Sequence, residues 1–412
     1  MVDLKFLREN PEKVAEGARS KGVEVDVQKI IGLDREYREL SSKIQELYAQ
    51  RNSAAKERNI DRGKELKGEI DSEESKLKEL KESLDTLLLS IPAIPKDDVK
   101  VGKDESGNEV VRKNGEPSDF AFKPKDHLEL GELLEIVDIE RAAKVSGARF
   151  AYLKNEGVLL EIALVRFVLE TLTKEGFTPI IPPTLINAEV MKKLGYMENG
   201  GDEDMFRLTE DGKVLVGTAE QSIVPMHMNE VFVQNQLPKR YVGFSSSFRR
   251  EAGSYGKDTR GILRVHQFDK VEMVSYVAEG KDDEEHEYLL GIEENFFQAL
   301  GIPYQVVKMC TGDLGFPASR KYDVEAWIPT QGKYREVTST STTGDFQARR
   351  LNIKYQEGIE KKFVQILNGT AFAIGRTLIA ILENFQEEDG SVTIPEVLRK
   401  YTGFDKISPK NR

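Results

Sequence analysis

From Ile30 the apolar positions recur at Leu33, Tyr37, Leu40, Ile44 and Leu47 and continue through Arg51 to Ala54, an unbroken alternation of three and four. Residues so spaced lie on one narrow stripe of an α-helix, the a/d seam of a coiled coil. A second seam runs through Leu66, Ile70, Glu73, Leu77, Leu80, Leu84, Leu87 and Ile91, and the polar stretch 57–63 separates the two. Two stripes joined by a short breaker predict an antiparallel helical hairpin. At about 30 residues per helix and about 1.5 Å per residue, the arm would be on the order of 45–50 Å long. Held by its own seam, it is expected to project into solvent.

The second helix should stop at Ile91-Pro92-Ala93-Ile94-Pro95, because each proline removes a backbone donor and pushes its predecessor out of the α region. From 96 to about 117 the chain is rich in Lys, Asp and Gly without periodicity and reads as a linker. Beyond it, β-branched runs alternate with helical patterns: helix over 158–172, strands over 213–216, 240–244 and 265–274, then strand, turn and helix over 363–383. The expected organisation is an α+β protein, with a helical arm domain over 1–104, a linker over 105–117 and a mixed domain over 118–412.

Composition sharpens this picture. Sixty Lys and Arg against 71 Asp and Glu give a net charge of −11 over 412 residues, which excludes a surface basic all over that would coat nucleic acid. One cysteine, Cys310, allows neither an intrachain disulfide nor a Cys-rich zinc site, which suits a reducing cytosol. There is no apolar leader and no run near roughly 18 apolar residues, so neither a signal peptide nor a membrane span is expected, and the protein reads as cytoplasmic. The charge is segregated. Residues 279–294 carry a net −7, expected to be a solvated helix face, whereas 239–264 carry +5 and the arm tip, 51–67, carries +3.

The chemistry concentrates in Phe248-Arg249-Arg250-Glu251-Ala252-Gly253-Ser254-Tyr255-Gly256, then Thr259-Arg260-Gly261 and Val265-His266-Gln267-Phe268-Asp269-Lys270-Val271-Glu272. Residues two apart on a strand share a face, so Arg249 points with Glu251 and Phe268 with Glu272 across a long hairpin loop. One face would then offer a guanidinium for phosphate, a carboxylate for an amine and a ring for stacking, the parts a nucleotide needs. A salt-bridged antiparallel hairpin would use the same residues.

These stretches resemble motif 2 of the class II aminoacyl-tRNA synthetases. Thr370-Ala371-Phe372-Ala373-Ile374-Gly375-Arg376 resembles their motif 3, and Gly176-Phe177-Thr178-Pro179-Ile180-Ile181-Pro182-Pro183 their motif 1, with Pro183 as the dimer-interface proline. Thr218-Ala219-Glu220, Thr311-Gly312-Asp313-Leu314-Gly315-Phe316 and Asp345-Phe346-Gln347-Ala348-Arg349-Arg350 narrow the resemblance to the seryl-tRNA synthetase family, whose tRNA-binding arm is a helical hairpin. It implies a coiled-coil hairpin followed by an antiparallel β-sheet catalytic domain flanked by helices, working as a homodimer.

The implied reaction uses ATP and Mg²⁺ to activate L-serine and then charges the 3′ end of tRNA(Ser), with tRNA(Sec) as a further acceptor. Carried over by position, Arg249 and Arg376 are catalytic, holding the α- and γ-phosphates. Arg250, Glu251, Val265, Phe268, Glu336, Val337, Thr338 and Ser339 complete the ATP site, with Glu251 on the adenine amino group and Phe268 stacked on the ring. Glu336 and Ser339 would hold the metal, and hard oxygen donors suit it. Thr218, Glu220, Arg249, Glu272 and Thr370 would bind serine. Where the family has Ile-Ser-Ser-Cys-Ser-Asn, this chain has Val337-Thr338-Ser339-Thr340-Ser341-Thr342, which bears on discrimination against threonine and alanine. Two rivals are a relative charging a carrier protein, which should lack the arm, and a non-catalytic paralogue acting as a scaffold. His266, Cys310 and Trp327 are expected to be structural.

Overall fold

The computed structural model describes residues 1–198, 200–252 and 261–410. The loop residues Gly253 to Arg260 of the motif 2 hairpin, with two of its bases, therefore lie outside the described residues. The chain divides into two compact units, Met1–Ile94 and Pro95–Arg412.

In the first unit the seams become the helices Val27–Lys56 (α1) and Ile60–Leu89 (α2), each 30 residues long. Asp26 opens α1 by accepting from the Lys29 amide at 2.9 Å, and Asn59 opens α2 by accepting from the Arg62 amide at 3.1 Å. Every seam position from Ile30 to Ala54 is buried or half-buried. Glu73 takes an apolar seam position in α2, where its carboxylate meets Lys43 of α1 at 3.2 Å and Lys76 at 3.0 Å. A slipped register would strand that acid, so the pair fixes the alignment of the hairpin. At the base, the short helices Leu4–Glu9 and Pro11–Ser20 pack Leu7 and Val14 against Ile30, Leu84, Leu88 and Ile91.

The second unit is built on one eight-stranded sheet: Glu109–Asn114 (β1), Thr178–Ile180 (β2), Lys239–Phe248 (β3), Gln267–Val277 (β4), Tyr304–Lys308 (β5), Arg320–Ile328 (β6), Lys333–Gly344 (β7) and Gln365–Ala373 (β8). Their spatial order is β1-β5-β6-β7-β8-β4-β3-β2, antiparallel throughout except for β2 against β3. Asn155–Lys174 (α3), Asp282–Leu300 (α4) and Ile374–Asn384 (α5) pack on one face, where Leu164, Val168, Met273, Phe296, Phe372 and Leu378 form the main core. A second core, with Leu194, Ile223, Val274, Tyr276, Leu351 and Tyr355, forms separately.

Two expectations are corrected here. The stretch 95–117 is neither the end of the arm nor a linker. Lys96 donates its amide to Ser319, Lys308 grips Asp98 at 2.6 Å, the Thr311 amide bonds the Lys100 carbonyl at 2.9 Å, and β1 pairs along β5. All six residues of β1 are exposed, so this edge strand has no alternating pattern to betray it. The acidic segment is also not simply a solvated face. Asp282, Glu285 and Glu293 of α4 are buried, the first ion-paired to Lys96 at 2.7 Å, the second doubly bonded by Arg240 at 2.6 Å, the third accepting from Thr338 at 2.9 Å.

Candidate active site

Strand period places most of the expected side chains together. On β4, Phe268, Lys270 and Glu272 alternate with the fully buried Val271 and Met273 of the core. On β7 strict alternation would separate Glu336 from Ser339, which are three apart. Val324 pairs with Thr338 and Glu325 with Glu336, leaving Val337 as an extra residue. That bulge turns Glu336 back onto the face of Ser339. A second irregularity skips Ala371, so that Thr370 stands opposite Glu272 and donates its hydroxyl to the carboxylate at 3.0 Å. Arg249 follows β3, and Arg376 lies in the first turn of α5, which continues directly from β8.

These residues line two cavities. One is bounded by Arg249, Glu251, Phe268, Glu336, Ser339 and Arg376, with Val265, Val337 and Thr338 in its wall. The Arg249 guanidinium lies 5.4 Å from the centre of the Phe268 ring. Arg376 bonds Glu336 at 2.9 Å. Burial works against the Glu336 charge, but Arg376, Lys321 and Arg249 outweigh it and hold the carboxyl far below its usual range. The Glu336 side chain is 42% exposed where it lines the cavity. Glu251 is met by Arg264 at 3.0 Å.

The second cavity is lined by Thr218, Glu220, Glu272, Ser341 and Asn368, and it shares Arg249, Lys270 and Ser339 with the first. Arg249 Nε donates to the Gly217 carbonyl at 3.2 Å, tying the Thr218-Ala219-Glu220 turn to the end of β3. Lys270 meets Glu272 at 2.6 Å. Glu220 is only 7% exposed; burial and the neighbouring Glu272 push its carboxyl up to about 7, against the pull of Lys270, Tyr196 and Arg249. The buried Thr218 hydroxyl has no hydrogen-bond partner among the described residues, and Thr218 lines the same space. The lining brings the carboxyl groups of Asp204, Glu220 and Glu272 together with the Thr218 hydroxyl, Lys270 and Lys321, groups able to pair a cation and a hydroxyl on a small ligand.

Arg250 is exposed and lines neither cavity, its backbone amide bonding the Asp204 carbonyl at 2.9 Å. Thr338 reaches the first cavity, but its hydroxyl points away to Glu293. Pro183 is exposed at the surface. His266 supports the Arg249 carbonyl at 3.0 Å through Nδ1. Sequence reasoning missed Lys270, Arg264 and Tyr196. Lys270 alone had a signal, its place between Phe268 and Glu272 on the site face of β4.

Comparison with known proteins follows the same division. Residues 1–95 match the model of the seryl-tRNA synthetase N-terminal domain, and residues 206–385 that of the class II tRNA synthetase core domain (G, H, P, S and T). The chain is 43% identical to a serine–tRNA ligase of Thermodesulfovibrio yellowstonii, covering 99% of this chain and 100% of that protein. Among solved structures, seryl-tRNA synthetase from Pyrococcus horikoshii complexed with ATP superposes with a TM-score of 0.93 at 41% identity, over 100% of both chains. The cytoplasmic serine–tRNA ligase from Naegleria fowleri in complex with AMP gives 0.91 at 35% identity, over 100% of this chain and 99% of that one.

Proposed function

The chain belongs to the seryl-tRNA synthetase family, and from that premise we propose that it activates L-serine with ATP and charges the 3′ end of tRNA(Ser) in the cytoplasm. The observation that carries this reading is the junction of the two cavities at Arg249, Lys270 and Ser339. A nucleotide with its base between Phe268 and Glu251 and its terminal phosphate at Arg376 would bring its α-phosphate there. An amino acid with its ammonium near Glu220 and its hydroxyl near Glu272 and Thr370 would bring its carboxylate to the same place.

A serine carboxylate oxygen would attack the α-phosphorus in line. The bond to the β-phosphate bridging oxygen breaks, leaving seryl-adenylate and pyrophosphate. Arg249 lies where charge collects on the α-phosphoryl oxygens, and Arg376 where it collects on the leaving group. A terminal ribose hydroxyl of the tRNA then attacks the seryl carbonyl and AMP departs. Positioning and charge neutralisation supply the rate, with no covalent bond to the protein.

Glu336 and Ser339 fit Mg²⁺. Among the described residues no three His, Cys, Asp or Glu gather as a metal cage, and one carboxylate kept ionised beside a hydroxyl suits an ion whose other ligands are phosphates and water. Bound there, Mg²⁺ would supply Lewis-acid neutralisation of the phosphate oxygens.

The arm would bind tRNA, which favours this reading over a carrier-protein relative. Retention of Arg249, Glu251, Glu272, Glu336 and Arg376 disfavours a scaffold paralogue. A homodimer through the motif 1 region is supported by exposed apolar side chains in it and on the preceding helix α3, Ile181 at 85% exposure with Leu159 and Ile162. Among the described residues no helix is long and apolar enough to cross a membrane.

Serine-dependent ATP–pyrophosphate exchange tests the reading. Exchange should require serine, and Arg249→Ala should lower it roughly 100- to 1000-fold. Exchange that ignores serine would overturn the substrate, and an Arg249→Ala protein of undiminished rate would overturn the role of that arginine.

A further inference from the structure

Tyr196 was not expected at any site, yet its hydroxyl donates to Glu220 Oε1 and its ring lines the amino-acid cavity. A carboxylate has two oxygens, and a neutral donor held on one of them fixes the plane of the group and turns the other toward the cavity. Neutral Tyr196 suits that part, since burial and the neighbouring Glu220 raise its pKa far above the ordinary phenol value.

The tyrosine does not reach Glu220 by chance of a loop. The helix Ala188–Leu194 ends at Gly195, whose φ of 88° favours glycine, and a Cβ there would come within 3.0 Å of the Phe346 ring. From the other side, the Asp345-Phe346-Gln347-Ala348-Arg349-Arg350 segment clamps this corner. Gln347 donates to the Leu194 carbonyl at 3.2 Å, and Arg350 reaches the Lys192 carbonyl at 3.4 Å and Glu198 at 3.0 Å. Arg350 also lies 4.2 Å from the centre of the Phe346 ring. Neither Gln347 nor Arg350 lines either cavity. Their contacts converge on the residues that flank Tyr196.

We propose that Tyr196, held by the helix Phe346–Leu351, is a positioning residue that aims the Glu220 carboxylate at the ammonium of the amino-acid substrate. This rests on the reading of the second cavity as the serine site. Among the described residues the charged groups acting on Glu220 are Glu272 and Lys270 from β4 and Arg249 beyond β3, and Tyr196 adds a neutral donor. Its hydrogen bond favours the ionised acid. Without it the carboxyl would hold its proton to higher pH and grip a cation less well over the neutral range.

The experiment compares wild-type protein and Tyr196→Phe in serine-dependent ATP–pyrophosphate exchange between pH 6 and 9, with thermal melts to confirm folding. The serine KM should rise about 10-fold, while kcat and the ATP KM stay within about 2-fold, as expected when one hydrogen bond to a charged group is removed. The acid limb of kcat/KM for serine, expected near 7 in the wild type, should move to higher pH. In a Glu220→Gln background the same substitution should have no further effect on the serine KM. An unchanged KM and pH profile would overturn the proposal, as would an equal loss in the ATP KM or kcat, or a KM effect that survives in the Glu220→Gln background. If wild-type protein shows no serine-dependent exchange at all, the reading of the site falls first. A Tyr196→Phe protein indistinguishable from an active wild type defeats the positioning role alone.

Discussion

Thr338, Thr340 and Thr342 replace a serine, a cysteine and an asparagine of the family pattern, and from sequence they bore on substrate choice. Their hydroxyls face the helix layer instead, bonding Glu293 at 2.9 Å, the Asn368 carbonyl at 2.9 Å and Asp282 at 3.1 Å. Ser339 and Ser341 alternate with them and line the second cavity. Thr338→Ser and Thr342→Ser should therefore leave the relative exchange rates with serine, threonine and alanine within about 2-fold of wild type. Thr370→Val should raise the serine KM and erode discrimination against alanine by about 10-fold, because the substrate hydroxyl then loses one of its two partners and Glu272 loses the donor that holds it. Parallel exchange assays with the three amino acids separate the two outcomes. Glu336, Glu272 and Arg376 were legible because a motif names them, whereas the Val337 bulge that brings Glu336 beside Ser339 is a property of strand pairing and leaves no mark in the order of residues. Tyr196 was illegible for a related reason: its use depends on a helix 150 residues further along the chain.

At the scale of elements, legibility followed periodicity. The two seams predicted α1 and α2, and the apolar runs around β3, β4 and α3 located those elements with ends displaced by one to four residues. β1 escaped because an edge strand exposed on every residue needs no apolar face. The buried acids of α4 escaped because their partners, Lys96, Arg240 and Thr338, come from distant strands and loops. Packing here turns on Gly369 of β8, where α4 approaches so closely that a Cβ would lie 2.8 Å from Glu293 Oε1 and 3.2 Å from both Met273 and Thr340. Gly369→Ala should cost about 1–3 kcal/mol of stability as the helix is forced off the sheet. Gly68, inside α2 with open space around it, should behave oppositely: Gly68→Ala removes backbone freedom and adds about 0.5–1 kcal/mol to the helix. Urea unfolding followed by circular dichroism gives both signs. An equal loss at the two glycines would contradict the distinction between a packed and an open site.

For the whole molecule the net charge of −11 is a poor guide, because the charges are segregated. Of the −7 in residues 279–294, part is neutralised within the fold by Lys96, Arg240 and Arg320. The surplus at the arm tip is not. Among the described residues Lys56, Arg58, Lys64 and Lys67 are exposed and make no ion pair, while Arg62 is paired with Glu65 at 2.7 Å. Unpaired bases at the turn of the hairpin can meet phosphate, and the net negative charge of the chain disfavours nonspecific contact with RNA. Replacing Lys56, Arg58 and Lys64 together by Ala should then raise the tRNA KM in charging roughly 10- to 100-fold at low salt. The slope of log affinity against log salt should fall by about 0.7–0.9 for each phosphate that the variant no longer neutralises. Pyrophosphate exchange should stay at the wild-type rate, since adenylate formation uses none of these residues. A loss of exchange alongside charging would mean that the arm governs the first half-reaction too, and an unchanged salt slope would mean that the tip bases do not touch the RNA backbone.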